Sequence, residues 1–116
     1  PSVTEDGADE YFEKIYYSPF MTSTFTVRAD ARDTIPAVTH ADGTARIQTV
    51  SSRDEPLYYR LISEVGKRTG VPVVLNTSFN IKGQPIVENP NQAISTFYGS
   101  GLDLLVAGSF VVEKKP

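Results

Sequence analysis

VPVVLNTSFNIKGQPIV, residues 71–87, passes from an apolar run (Val73, Val74, Leu75) through a polar cluster (Asn76, Thr77, Ser78, Asn80) into a turn carried by Lys82, Gly83 and Pro85. β-Branched residues bounded by Gly and Pro predict a buried strand, which puts the polar cluster where that strand leaves the core. A sheet holds the backbone there while side chains stay free to bind. Ser, Thr and Asn are neutral donors and acceptors suited to phosphate and sugar oxygens. The stretch is therefore read as the functional centre, against the plainer reading of a polar turn that caps its own backbone.

Immediately upstream, residues 55–70 carry the clearest helix signal. Pro56 suits the first helical position, Leu57, Tyr58, Leu61, Ile62 and Val65 form an apolar stripe, and Gly70 suits a left-handed C-terminal cap. Arg60, Glu64 and Arg68 are spaced for ion pairs on the outer face, each worth about 0.2–0.5 kcal/mol. Downstream, Asn89-Pro90-Asn91-Gln92 offers an N-cap, a proline at the first helical position and a glutamine three residues after the cap. A helix over 90–98 should then bury Ala93, Ile94 and Phe97. Gly99-Ser100-Gly101 stops it, 104–107 and 110–112 read as closing strands, and Lys114-Lys115-Pro116 as a frayed tail.

Farther upstream, AVTHADGTARIQTV (37–50) contains Asp42-Gly43, a favoured two-residue hairpin turn because both central positions need positive φ. On the returning strand, alternation puts Arg46 and Gln48 on one face and Ile47 on the other. The pattern has two readings, exposed strand residues or an anion clamp in which a cation stands beside an amide. Residues 22–28 alternate as a half-buried strand with Phe25 and Val27 inside. A helical turn is expected over 30–34. Residues 4–17 place Ala8, Tyr11, Phe12 and Ile15 at helical spacing behind an acidic first turn, which predicts an amphipathic helix ending near Ser18-Pro19. Strands and helices mix without strict βαβ alternation, so the fold class is α+β, a mixed α/β sandwich.

The 116 residues suit one domain with one core. With 40% apolar and 22% charged residues, the composition is not that of a disordered, collagen-like or membrane chain. No stretch reads as a transmembrane span or signal peptide. The lack of cysteine removes thiolate chemistry and sulfur-based zinc sites and favours the cytoplasm, and a single histidine rules out a multi-histidine metal centre. A net charge of -3 provides no basic surplus for nucleic acid. The opening Pro1-Ser2-Val3, without methionine, suggests a piece of a longer protein.

Three groups are candidates for chemistry: Arg46 with Gln48, the cluster from Asn76 to Asn80, and Lys82. They contain no nucleophile–base pair. Ser78 has no histidine near it in sequence, and His40, beside the hairpin turn, reads as a turn or surface residue. The GxxxxGK[ST] phosphate loop is absent. The groups suit binding of a phosphorylated or adenylated ligand, where positioning and electrostatic stabilisation carry most of the catalysis.

THADGTARIQTV, LNTSFNIKGQPIV and GLDLLVAGSFVV, in that order, resemble the C-terminal part of O-carbamoyltransferases of the nodulation-factor and antibiotic-tailoring type. The resemblance covers nearly the whole chain. It implies a two-domain enzyme whose N-terminal actin-like domain carbamoylates a hydroxyl of a sugar or antibiotic. Its C-terminal domain, a YrdC-like twisted sheet with flanking helices, would make carbamoyl adenylate from carbamoyl phosphate and ATP. This chain would be most of that second domain, incomplete at its N-terminus. Ser78-Phe79-Asn80 is similar to the Ser-x-Asn element of YrdC-like proteins, with Asn76 and Thr77 flanking it. Arg46 is similar to the family arginine at the phosphoryl or carbamoyl end of the ligand and is the catalytic candidate, with Gln48 and Lys82 as further ligand contacts. Mg²⁺ would come with ATP, and any transition metal would belong to the N-terminal domain.

The Lys-x-Arg element of YrdC-like proteins should lie upstream of Pro1, so the piece alone is expected to be inactive and to bind ATP weakly. Two other classes compete with this reading: a threonylcarbamoyl adenylate synthase-like protein of tRNA modification, and a non-catalytic interface module. The acceptor hydroxyl is not legible from these residues.

Overall fold

The middle of the principal sheet is only three residues long, Ser2–Thr4 (β1), with all three side chains buried. In this computed structural model, which describes residues 1–115, β1 is followed by β2 (Thr24–Thr26), β3 (Thr44–Arg46), β4 (Gln48–Val50), α1 (Pro56–Thr69) and β5 (Val73–Val74). These make up one compact unit, Pro1–Asn76, and α2 (Pro90–Tyr98), β6 (Leu104–Ala107) and β7 (Phe110–Glu113) belong to a second that begins at Thr77. The class is α+β, with the strands shared among three small sheets. Where chain length suggested one core, two units form.

In the first unit β1 pairs in parallel with β4, Val3 opposite Thr49, and antiparallel with β5, Val3 opposite Val73. A strand covered on both edges and both faces is apolar or hydrogen-bonded throughout, and β1 is both. β5 is an edge strand of two residues, only half buried, and Leu75 is 61% exposed. The buried strand expected at Val73–Leu75 is thus a short edge, because the central place is taken by β1.

The run 37–50 does not fold back on itself as a hairpin. β3 pairs antiparallel with β2, Phe25 opposite Ala45, while β4 joins β1 in the other sheet. Gly43 has φ of 79° and turns the chain, but Asp42 is not left-handed, so the two-residue turn with two positive φ values does not form. Ile47, fully buried, is the joint where one extended run leaves one sheet and enters the next.

The helix expected over 4–17 is a six-residue 3₁₀ turn, Glu5–Glu10. Its continuation is captured by β2: Glu13 N–H donates to the Thr26 carbonyl and Arg28 N–H to the Tyr11 carbonyl, and Phe12 bridges Val27. Ala8, Tyr11 and Phe12 are nonetheless buried, with Ile15 against them, so the apolar positions are those expected while the helical period is not. Phe25 and Val27 face inward and Thr24 and Thr26 outward, as alternation requires. Residues 30–34 form turns.

α1 has the predicted ends: Pro56 opens it, and Gly70, φ 81°, closes it with its N–H on the Gly66 carbonyl. Of the expected stripe Ile62 is fully buried and Tyr58 and Val65 are half buried, as are Tyr59, Ser63 and Gly66, while Leu57 and Leu61 are 81% and 55% exposed. Gly66 sets the rotation of the helix, since a Cβ there would lie 2.7 Å from Pro72. On the outer face Glu64 pairs with Lys67 at 2.7 Å, in place of the pairs expected with Arg60 and Arg68.

In the second unit α2 runs over Pro90–Tyr98 as predicted. Asn89 Oδ1 accepts from Gln92 N–H at 3.0 Å, and Gln92 Oε1 accepts from Glu88 N–H at 3.0 Å, a reciprocal cap. Phe97 is fully buried, Ala93 is half buried, and Ile94 is 48% exposed rather than inside. β6 and β7 pair as a hairpin turned at Gly108. Lys114 is not frayed: its ammonium donates to the Ser100 carbonyl and lies 5.0 Å over the Phe97 ring. Pro116, the end of the expected tail, lies outside the described residues.

Candidate functional site

A cavity of about 520 Å³ opens in the first unit where the two sheets meet. Arg46, at the end of β3, and Thr24, its partner in register on β2, form one side. Leu75 and Asn76, just past β5, form another, and Thr39 and His40 a third. The chain reaches this arrangement because Ile47 turns the extended run from one sheet to the other, leaving Arg46 at the cavity and Gln48 inside the principal sheet. Met21, on the wall, holds φ of 54°, a left-handed conformation that costs a non-glycine residue about 1–2 kcal/mol.

Arg46 is exposed and, among the described residues, takes part in no ion pair or side-chain hydrogen bond. Pro1 also lines the wall. A guanidinium with five donors and no ion-pair or side-chain hydrogen-bond partner among the described residues is the cation half of an anion-binding interaction.

Gln48 does not project beside Arg46 as a second ligand. Its Oε1 accepts from Ser2 Oγ–H at 2.7 Å and from Asn76 Nδ2–H at 2.9 Å, and Asn76 Nδ2 also donates to Ser2 Oγ at 3.2 Å. The three side chains form a closed network, so Gln48 and Ser2 position Asn76. Ser2 carried no signal in the sequence, because its two partners lie 46 and 74 residues away.

The rest of the polar cluster falls in the second unit. Ser78 Oγ–H donates to Asn80 Oδ1 at 2.5 Å, and Asn80 Nδ2 donates to the Gln84 carbonyl at 3.0 Å and the Ile81 carbonyl at 3.3 Å. Gln84 N–H donates to the Ile81 carbonyl at 2.9 Å, and Gly83, φ 86°, supplies the left-handed residue. Asn80 is fully engaged in its own turn. Thr77, Ser78 and Lys82 are exposed, and Lys82 has no ion-pair partner among the described residues.

No group of three or more His, Cys, Asp or Glu side chains among the described residues is placed to hold a metal ion. No helix among them is long and apolar enough to cross a membrane.

Residues 1–114 match the family model described as Carbamoyltransferase C-terminus. The chain is 46% identical to nodulation protein NolNO of Sinorhizobium fredii over 99% of its own length and 17% of that protein's. It is 44% identical to nodulation protein NolO of Bradyrhizobium diazoefficiens over its whole length and 22% of that protein's, and 39% identical to nodulation protein U of Rhizobium tropici over 72% of its length and 15% of that protein's. It thus spans about a fifth of the length of the curated relatives it matches.

Proposed function

The chain belongs to the carbamoyltransferase C-terminus family, and from that membership we propose that its first unit supplies the anion-binding wall of a carbamoyl-activating site. The unpaired Arg46 guanidinium in a cavity is the observation that carries this reading. Its ligand there is the phosphate of carbamoyl phosphate, or the carbamate and phosphoryl oxygens of the activated product.

In the reaction proposed for the longer protein, water first releases phosphate from carbamoyl phosphate to leave carbamate. A carbamate oxygen then attacks the α-phosphorus of ATP, the bond from that phosphorus to the β-bridging oxygen breaks, and pyrophosphate leaves with the electron pair. Arg46 offsets the negative charge at the attacking end. In the second unit Thr77 and Lys82 keep an exposed hydroxyl and an exposed ammonium as candidate contacts for ATP oxygens, while Ser78, whose proton goes to Asn80 Oδ1, would donate to them only by giving up that bond. Asn80 shapes their turn. Mg²⁺ accompanies ATP through phosphates and water, and no carboxylate cluster of this chain is assigned to it. An actin-like domain elsewhere in the longer chain would carry out transfer to the acceptor hydroxyl, with any transition metal that step uses. The nucleotide and YrdC-like parts of the reading rest on the resemblance of Ser78-Phe79-Asn80 to the Ser-x-Asn element.

The test is pyrophosphate release from ATP by the full-length parent, with and without carbamoyl phosphate. Loss of the charge-assisted bonds made by Arg46, about 1.5–3 kcal/mol, predicts a fall of roughly 10- to 150-fold in carbamoyl phosphate-dependent release for Arg46→Ala. Normal release by a folded Arg46→Ala enzyme sinks the assignment.

A further inference from the structure

We propose that His40 and Asn76 are specificity-determining residues, an acceptor pair in the Arg46 cavity that recognises the NH₂ of a carbamoyl group; this rests on reading that cavity as the carbamoyl phosphate site. The argument is one of counting protons.

Thr44 has a single hydroxyl proton, and it is committed: Oγ1 donates to Asp42 Oδ1 at 2.7 Å, the same oxygen that accepts the Thr44 N–H at 3.0 Å. Those two bonds hold the Asp42 carboxyl below the usual aspartate range, so it stays an acceptor. Thr44 Oγ1, 3.1 Å from His40 Nδ1, must therefore accept from that nitrogen. In a neutral imidazole the proton on Nδ1 leaves Nε2 as a bare acceptor. The Asp42–Thr44 turn thus selects the tautomer of a residue in the cavity wall.

Asn76 reaches the same state by another route. Its amide nitrogen is anchored by the bonds to Ser2 Oγ and Gln48 Oε1, while Oδ1 accepts no hydrogen bond among the described residues and is the group open to a ligand. The cavity consequently combines one free cation with two oriented acceptors, each fixed by a separate network. A ligand that fits is anionic at one end and carries two N–H donors at the other, on a small planar carbon. Carbamoyl phosphate has this form. Acetyl phosphate, with methyl in place of NH₂, would leave both acceptors unpaired, and sites built to hydrogen-bond a donor reject the analogue that lacks it.

Calorimetric Kd values for carbamoyl phosphate and acetyl phosphate, measured on the full-length parent and its variants, test this. The wild type should favour carbamoyl phosphate by roughly 10- to 100-fold, an effect reduced from that of a closed site because the cavity is open. His40→Ala should bring the ratio down about tenfold while the acetyl phosphate Kd stays within twofold. Thr44→Val, which frees the ring to adopt either tautomer, should lower the ratio about threefold, and His40→Gln, which restores an acceptor, should recover part of it. Arg46→Ala should weaken both ligands alike. If the ratio survives His40→Ala while Arg46→Ala weakens both ligands, the acceptor pair is wrong and the site reading stands. If Arg46→Ala changes neither Kd, the site reading itself fails.

Discussion

Asn76 and Asn80 are the same residue type, four positions apart, and their hydrogen bonds serve opposite ends. Asn76 donates to side chains 74 and 28 residues away, and it lines a cavity. Asn80 donates to carbonyls one and four residues away and accepts from Ser78, so it stabilises its own turn. Short polar side chains readily make such local bonds, which is why they favour turns. A long-range network instead fixes a side chain relative to distant parts of the fold. Arg46, at the same cavity as Asn76, adds the sign of use: a cation without a partner.

The largest effect that tests this division concerns the second unit as scaffold. Among the described residues its one fully buried large side chain is Phe97, capped by the Lys114 ammonium 5.0 Å above the ring. Phe97→Ala should cost about 3–5 kcal/mol and strip hydrogen-exchange protection from α2 and the β6–β7 hairpin. A loss below about 1 kcal/mol would mean that this contact does not organise the unit. The two asparagines come next. Asn80→Ala should lower stability by about 1–2 kcal/mol, with the phosphate-ligand Kd in the full-length parent unchanged within twofold. Asn76→Ala should do the reverse, weakening carbamoyl phosphate about tenfold with under about 1 kcal/mol of stability lost. If both variants behave alike, hydrogen-bond range does not distinguish site from scaffold here.

Residues whose signals are local were legible in the sequence. Asn89 and Gln92 cap α2 as read, Pro56 and Gly70 bound α1, and Phe25 and Val27 face inward. What failed depended on partners far along the chain. Nothing in Pro1-Ser2-Val3 shows that β4 and β5 will flank it, yet that pairing displaces Val73–Leu75 from the centre and draws Gln48 away from Arg46. Period misled at residues 4–17, because β2 takes up the backbone groups that a helix would have used internally. It misled again on α1, where the close approach of Gly66 to Pro72, rather than the positions of Leu57 and Leu61, decides which face turns inward. Arg46 was visible as a candidate from alternation. His40 reads as a turn residue from the sequence, and it is one; its tautomer follows only from the proton committed between Thr44 and Asp42.

The smallest expected effect asks whether long range alone marks a functional contact. Tyr59 O–H donates to Asp6 Oδ2 at 2.7 Å across 53 residues, tying α1 to the 3₁₀ turn at the rim of a shallow hollow that Arg46 does not line. Both groups are satisfied by each other, so this contact is assigned to stability. The bond holds the Asp6 carboxyl below its usual range, with help from Thr4, and raises the Tyr59 phenol. A carboxylate depressed on folding adds stability that is present above its unfolded pKa, near 4, and disappears as pH falls through the folded value. A phenol raised on folding adds stability that is present below its unfolded pKa, near 10, and disappears as pH rises through the folded value. Tyr59→Phe should therefore be less stable than the wild type between about pH 5 and 9, by no more than about 1 kcal/mol because the pair is exposed. Denaturation curves of the two proteins should converge as pH falls below the folded Asp6 value and again as it rises above the folded Tyr59 value. Ligand Kd in the full-length parent should not move, and a shift in it would show that distance along the chain, and not an unpaired charge, is what marks the site.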